Sequence, residues 1–193
     1  ADRLYVADAG APIATTRDAR ADLWARMHVW MLEGQSDAAG ALGLAGVRIA
    51  EIGPEGTLRA LGTHLSPSLI ESTAVDERSA VMLLADGQAG IVVVDLSDPP
   101  HPSLLGSLDT PGAANDVRLH GSTALVADGP GGLVVVDVAD PHAPRLAGGV
   151  DTPGEASGVA ARGDLAYVAD GKAGLQVIDL VARRLVSTVD TPG

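Results

Sequence analysis

Cysteine is absent from this sequence, and so is phenylalanine. The first absence excludes disulfides, thiolate nucleophiles and Cys-ligated metal centres. The second, with two Trp and two Tyr as the whole aromatic content, leaves Val, Leu, Ile and Ala to fill the interior. Such a core suits sheets of small aliphatic side chains at close spacing. Positive charge is also scarce. Thirteen Lys plus Arg stand against 25 Asp plus Glu, for a formal net charge of -12, and Lys172 is the one lysine. An acidic surface repels phosphate backbones, so no nucleic-acid partner is expected. No apolar run reaches membrane-spanning length, which predicts no transmembrane segment and leaves peripheral membrane association open. The stretch that starts at Ala1 does not itself read as a positively charged leader. An exported chain would have lost its leader, so this does not fix the compartment.

What is present is punctuation. The 193 residues hold 24 Gly and 12 Pro in a composition that is 46% hydrophobic, which describes a globular chain with many turns. The turns recur. Ala85-Asp86-Gly87 returns as Ala127-Asp128-Gly129 and Ala169-Asp170-Gly171, each step being 42 residues. An apolar strand follows each turn: Ile91 to Leu96, Leu133 to Val138 and Leu175 to Leu180. Next come Ser97-Asp98-Pro99 and Ala139-Asp140-Pro141, a proline turn missing from the last copy. Each copy closes on Asp-Thr-Pro-Gly, at Asp109 to Gly112, Asp151 to Gly154 and Asp190 to Gly193.

The middle copy reads as four short strands, roughly 116–120, 123–127, 133–138 and 145–150, bounded by Gly, Pro and Asp. Four antiparallel strands in a unit of this length is the spacing of propeller blades, each of which buries its faces against its neighbours. The expected fold is therefore all-β: a β-propeller of four-stranded antiparallel blades of about 42 residues, either a closed ring or part of one. A parallel β-helix is the structural rival; its coils are usually shorter, and it does not call for antiparallel hairpins.

A worn copy precedes these three. Gly43 to Ile52 matches Gly87 to Leu96, and Val29 to Gly34 resembles the strand before an Asp-Gly turn, with Glu33 in the aspartate's place. Gln35 to Leu42 then reads as a hairpin insertion, and Asp2 to Asp8 as the remnant of another unit. Leu23, Met27 and Met31 stand at helical spacing, so residues 9–28 predict either a short helix or a degraded strand with a loop. The whole, 1–193, is expected to be one propeller or partial-propeller domain, irregular over 1–42 and regular over 43–193.

The strings Val126 to Gly154 and Tyr167 to Leu180, VADGPGGLVVVDVADPHAPRLAGGVDTPG and YVADGKAGLQVIDL, resemble LVIVD-repeat proteins. The resemblance is strong over roughly 80–193, fair over 43–79 and weak before that. It implies a bacterial or archaeal propeller, of a kind often found at the cell surface or in the periplasm. It implies no single activity or catalytic set. It thus points to a periplasmic, secreted or cell-surface location and to a scaffold-like or partner-binding role.

Asp86, Asp128 and Asp170 invite a metal reading, because carboxylates beside glycine turns can hold a hard cation. Against it, aspartate caps backbone N–H groups in turns, the following glycine takes a conformation other residues resist, and no calcium-loop pattern is present. No cofactor is predicted; a divalent cation such as calcium is the one the pattern would admit. Topology gathers the Asp-Gly turns and the Asp-Thr-Pro-Gly crossovers on one face, which predicts an acidic rim joined by Glu33, Gln35 and Asp37 and suited to a cationic ligand or basic partner. Trp24 and Trp30 could anchor an interface, with local packing as the plainer reading. His101, His120 and His142 fall toward the opposite face, too far apart along the repeat for ready shared ligation. Neither a Gly-x-Ser-x-Gly elbow nor a phosphate-binding loop is present, so no catalytic residue is assigned. The leading expectation is a non-catalytic interaction or structural subunit bound to another chain. The alternative is a ligand-binding, cation-binding or hydrolytic propeller using the acidic mouth.

Overall fold

The computed structural model describes residues 27–32, 45–52, 58–66 and 68–191. They form four antiparallel sheets in chain order. Sheet I holds β1 (Met27–Leu32), β2 (Ala45–Ile52) and β3 (Leu58–Ser66). Sheet II holds β4 (Ser72–Asp76), β5 (Val81–Ala85), β6 (Ile91–Asp95) and β7 (Ser103–Leu108). Sheet III holds β8 (Asp116–His120), β9 (Thr123–Ala127), β10 (Leu133–Asp137) and β11 (Arg145–Val150). Sheet IV holds β12 (Gly158–Arg162), β13 (Leu165–Ala169), β14 (Leu175–Asp179) and β15 (Arg184–Val189).

The middle unit's strands fall where turn punctuation places them, with β10 one residue shorter than expected. The central hairpins of sheets II, III and IV are closed by the same backbone bonds. In sheet III the Asp128 N–H donates to the Gly132 carbonyl at 2.9 Å, and the Gly131 N–H to the Asp128 carbonyl at 2.9 Å. Gly132 sits at φ 70, and a Cβ there would lie 2.6 Å from the Val150 carbonyl oxygen. Only glycine fits that combination of backbone and close approach. All four sheets also carry a bulge at one equivalent place on the last strand of the unit, at Leu61, Leu105, Ala147 and Val186, where the register with the preceding strand shifts by one residue. A shared bulge marks sheet I as a worn copy of the same unit.

Two expectations about the first copy change. Met27 and Met31 lie in strand β1, paired with Glu51 and Val47, so their helical spacing does not express a helix. Cross-strand pairing decides the conformation there, as it commonly does over local preference. Leu23 lies outside the described residues. The register also pairs Met31 with Val47 as Ala85 pairs with Ile91. Leu32, not Glu33, therefore falls where Asp86 stands in the next unit, because the expected match was one residue out.

Strand alternation gives each sheet a face toward the sheet before it and a face toward the sheet after it. Val47 and Ile49 of sheet I pack on Met82, Leu84 and Val94 of sheet II. Leu83, Ala85, Ile91 and Val93 of sheet II pack on Ala124, Val126, Val134 and Val136 of sheet III. Leu125, Ala127 and Leu133 of sheet III pack on Ala166, Val168 and Ile178 of sheet IV. The core is a series of aliphatic seams between successive sheets, close enough to need no Phe. First strands β4, β8 and β12 lie side by side along the inner edge of the array. No apolar cluster joins sheet IV to sheet I among the described residues. No helix of the described residues is long and apolar enough to cross a membrane.

Candidate functional site

The repeat's aspartates point into the seams. Asp128 is fully buried, and its Oδ1 accepts from Thr110 Oγ1 at 2.6 Å while Oδ2 accepts from the Gly112 N–H at 2.7 Å. Asp170 repeats this arrangement with Thr152 Oγ1 at 2.7 Å and Gly154 N–H at 2.9 Å. Thr and Gly belong to the Asp-Thr-Pro-Gly crossover that delivers the chain from one sheet to the next. The carboxylate thus ties the hairpin of the arriving sheet to the crossover that precedes it, and does not cap its own turn. The crossover side chain that bonds is that of Thr, not of Asp109 or Asp151. Backbone bridges add to the tie: Gly87 exchanges N–H···O bonds with Ala114 at 3.1 and 2.9 Å, and Gly129 with Ala156 at 3.0 and 2.9 Å.

Asp86 follows the pattern incompletely. Ser66 replaces Thr and donates to its Oδ2, while the Ser68 N–H, in the place of Gly112, turns to Ser66 Oγ at 3.2 Å. Among the described residues its Oδ1 is buried without a partner. His64, two residues before Ser66 and so on the same face of β3, takes the register position of Leu108 and Val150. Burial holds the His64 imidazole below its ordinary pKa, against the pull of the Asp86 charge. Burial likewise raises the Asp86 carboxyl, opposed by the Ser66 bond and by His64. Asp128 is raised by burial, opposed by the Thr110 and Gly112 bonds and assisted by the charge of Asp109.

A second tie went unread in the sequence. Asp116 opens β8 on the inner edge. Its Oδ1 accepts from Ser72 Oγ of sheet II at 2.6 Å, from its neighbour Val117 N–H at 3.0 Å and from Arg118 Nη1 at 2.8 Å. Its Oδ2 accepts from the Val159 N–H of sheet IV at 2.9 Å. One carboxylate thereby links three consecutive sheets. The only signal was an acid where the other units carry Ser72 and Gly158.

With the repeat aspartates turned inward, the expected acidic rim is made by exposed Asp109, Asp151 and Asp190, together with Glu71 and Glu155. Of the other candidates, Trp30 lies in β1 opposite Arg48, while Trp24, Glu33, Gln35 and Asp37 lie outside the described residues. Across the array, His101 Nδ1 meets Asp98 at 2.8 Å and His120 Nε2 meets the Gly163 carbonyl at 2.9 Å. The His142 N–H donates to Asp140 Oδ1 at 3.0 Å. A cleft of about 340 Å³ on that side lies between sheets II and III, floored by Val81, Leu83, Leu119 and Val138. Among the described residues no three His, Asp or Glu side chains gather as metal ligands would.

The LVIVD repeat family model matches residues 83–110, 111–152 and 153–182, one match per regular unit and just over half the chain. The chain belongs to the LVIVD repeat family. As an LVIVD-repeat chain it has no match among curated proteins. Solved structures share its fold at low identity. A chain of "COPII on membranes, outer coat vertex" aligns at TM-score 0.67 and 10% identity, over 84% of this chain and 46% of that one. A chain of "The structure of the COPII coat assembled on membranes" gives the same score and identity, over 84% and 26%. The computationally designed Ika8 protein aligns at TM-score 0.61 and 12% identity, over 86% and 50%. The chain therefore spans half or less of each of these proteins, and the likeness is one of fold.

Proposed function

We propose that this LVIVD-repeat chain is a non-catalytic subunit of propeller type that docks another protein in an exported or surface-associated assembly. The observation that carries the reading is the inward turn of Asp86, Asp128 and Asp170. The acids the repeat supplies most regularly are used to join sheets, and those left on the rim, Glu71, Asp109, Asp151, Glu155 and Asp190, are spread one or two per sheet. A dispersed acidic surface suits steering of a basic partner better than convergence on one reacting atom. The test places a photo-crosslinking residue at position 151 on the rim or at position 140 on the opposite face, in the native cell. A stoichiometric adduct from 151 alone, lost when Glu155 and Asp190 are changed to Lys, supports the reading. Equal sparse labelling from both positions refutes it.

The second reading, a ligand-binding, cation-binding or hydrolytic mouth, has one observation in its favour: the buried Oδ1 of Asp86, which has no partner among the described residues. Calcium is its first probe. Saturable heat on titration, abolished by Asp86→Asn, would favour it over the docking reading.

A further inference from the structure

The seam between sheets II and III breaks the repeat at the end away from the acidic rim. Ser72 Oγ meets Asp116 Oδ1 at 2.6 Å, which sets β4 beside β8 in register. At the far ends of these strands stand Asp76 and His120. Asp76 pairs with Val81 as His120 pairs with Thr123, so the two hold one position of the repeat. What they do there differs. Between sheets III and IV, His120 Nε2 donates to the Gly163 carbonyl at 2.9 Å and ties the sheets at that end. Between sheets II and III, Asp76 takes the place of His120 and Gly121 that of Gly163. A carboxylate has no proton to give a carbonyl. The tie is not made, and the cleft of about 340 Å³ lies there instead.

The turn beside it departs from the repeat as well. Four residues, Glu77 to Ala80, join β4 to β5, where two join β8 to β9 and β12 to β13. Within this longer turn the Asp76 carboxylate accepts from the Arg78 N–H at 3.0 Å and from Ser79 Oγ at 2.7 Å, which holds it in one orientation. Both donors are uncharged, and no cationic side chain pairs with Asp76 among the described residues. Ala80 ends the turn at φ 55, a left-handed backbone that is strained for any residue with a Cβ.

The lining says what fits. Leu83, 1% exposed, lies at the floor with Val81, Leu119 and Val138, an apolar chamber at the small end of ligand-site volumes. Asp76, the Gly121 backbone and the hydroxyls of Ser79 and Ser122 stand around it. A Cβ on Gly121 would meet nothing within 4 Å, so the space beside it is open. A metal ion suits this chamber poorly, since a hard cation takes about six to eight oxygen ligands. An ammonium group on a hydrocarbon body suits it well, with three donors and one positive charge for the acceptors and an apolar remainder for the floor.

We propose that this cleft binds a small organic ammonium, its charge against Asp76 and its hydrocarbon body on Val81, Leu83, Leu119 and Val138. The cleft lies on the face opposite the acidic rim, and neither reading depends on the other.

The test titrates phenethylamine into the whole 193-residue chain and follows the protein's amide NMR signals. The expected result is saturable one-to-one binding, with the largest shifts at Leu83, Leu119, Gly121 and Val138. Phenethyl alcohol, which keeps the body and loses the charge, should bind about 10-fold or more weakly. Asp76→Asn should weaken amine binding by a similar factor, about 10-fold or more. Asp76→His, which restores the donor that closes the next seam, should abolish it. Glu77→Gln removes a neighbouring exposed charge that does not line the cleft, and should change affinity by no more than about twofold. Absence of saturation, equal affinity for amine and alcohol, undiminished binding by Asp76→Asn, or shifts gathered at the rim around Asp109 and Asp151 would each overturn the proposal. If Asp76→Asn fails to fold, the amine-to-alcohol ratio and the location of the shifts in the unaltered chain decide the question.

Discussion

Replacing Thr110 by Val removes one hydroxyl and keeps the shape of the side chain. The hydroxyl donates at 2.6 Å to Asp128 Oδ1, Thr110 is 7% exposed and Asp128 is fully buried. Water therefore cannot easily take its place. A hydrogen bond to a charged group contributes about 1.5–3 kcal/mol, and the Gly112 N–H remains to hold Oδ2. Thr110→Val should accordingly destabilise the chain by about 1.5–3 kcal/mol in urea unfolding. Thr110→Ser keeps the donor and removes a methyl group, for a cost of about 0.8 kcal/mol. The pair separates the bond from the packing. A pH arm adds a second readout. The Thr110 bond lowers the Asp128 pKa against the larger effect of burial, so the variant should raise that pKa further, as followed by carboxyl carbon NMR. Its stability penalty should shrink as the carboxyl protonates. A Thr110→Val cost within about 0.5 kcal/mol, the range of an ordinary surface change, or an unmoved Asp128 titration would refute the seam argument.

Three further outcomes follow from the same geometry. Asp116→Ala removes the acceptor shared by Ser72, Arg118 and Val159; because Arg118 stays solvated, the cost is that of the orphaned donors, about 1–3 kcal/mol in urea unfolding, while Ser72→Ala should cost about 1 kcal/mol. Gly132→Ala imposes a side chain at φ 70 and against the Val150 carbonyl, and should lose about 1–3 kcal/mol by thermal unfolding. Asp128 has a folded pKa above its unfolded value, so the folded state holds the proton more tightly. Its contribution is present in full at low pH and falls as pH rises from the unfolded pKa through the folded one. Asp128→Asn should flatten that decline when stability is measured across the range.

Much of the fold could be read from residues that punctuate. Gly129 and Gly132 mark a hairpin in the sequence, since both take the left-handed conformation that costs glycine least, and Gly132 also sits against the Val150 carbonyl. The aliphatic runs between such turns then have one length and one alternation, and the strands of sheet III emerge almost to the residue. Sheet I was harder. Its turn carries no Asp-Gly, so the match slipped by one residue, and Met27 and Met31 offered a helical spacing that only pairing with β2 overrides. The acids show a different limit. Asp86, Asp128 and Asp170 were recognisable as turn residues, but their partners lie 16 to 20 positions upstream. No local pattern says that a side chain reaches back to the preceding crossover. Asp116 was invisible for the same reason, because its partners on β4 and β12 are more than forty positions away in either direction.

The central claim is that each buried aspartate joins its own sheet to the one before it. Amide exchange at Gly112 and Gly154 in Asp128→Ala, which removes both carboxylate oxygens, measures this directly. The account predicts faster exchange at Gly112, which loses its acceptor, and unchanged exchange at Gly154, which Asp170 still holds. Equal acceleration at both glycines, or at neither, would contradict it.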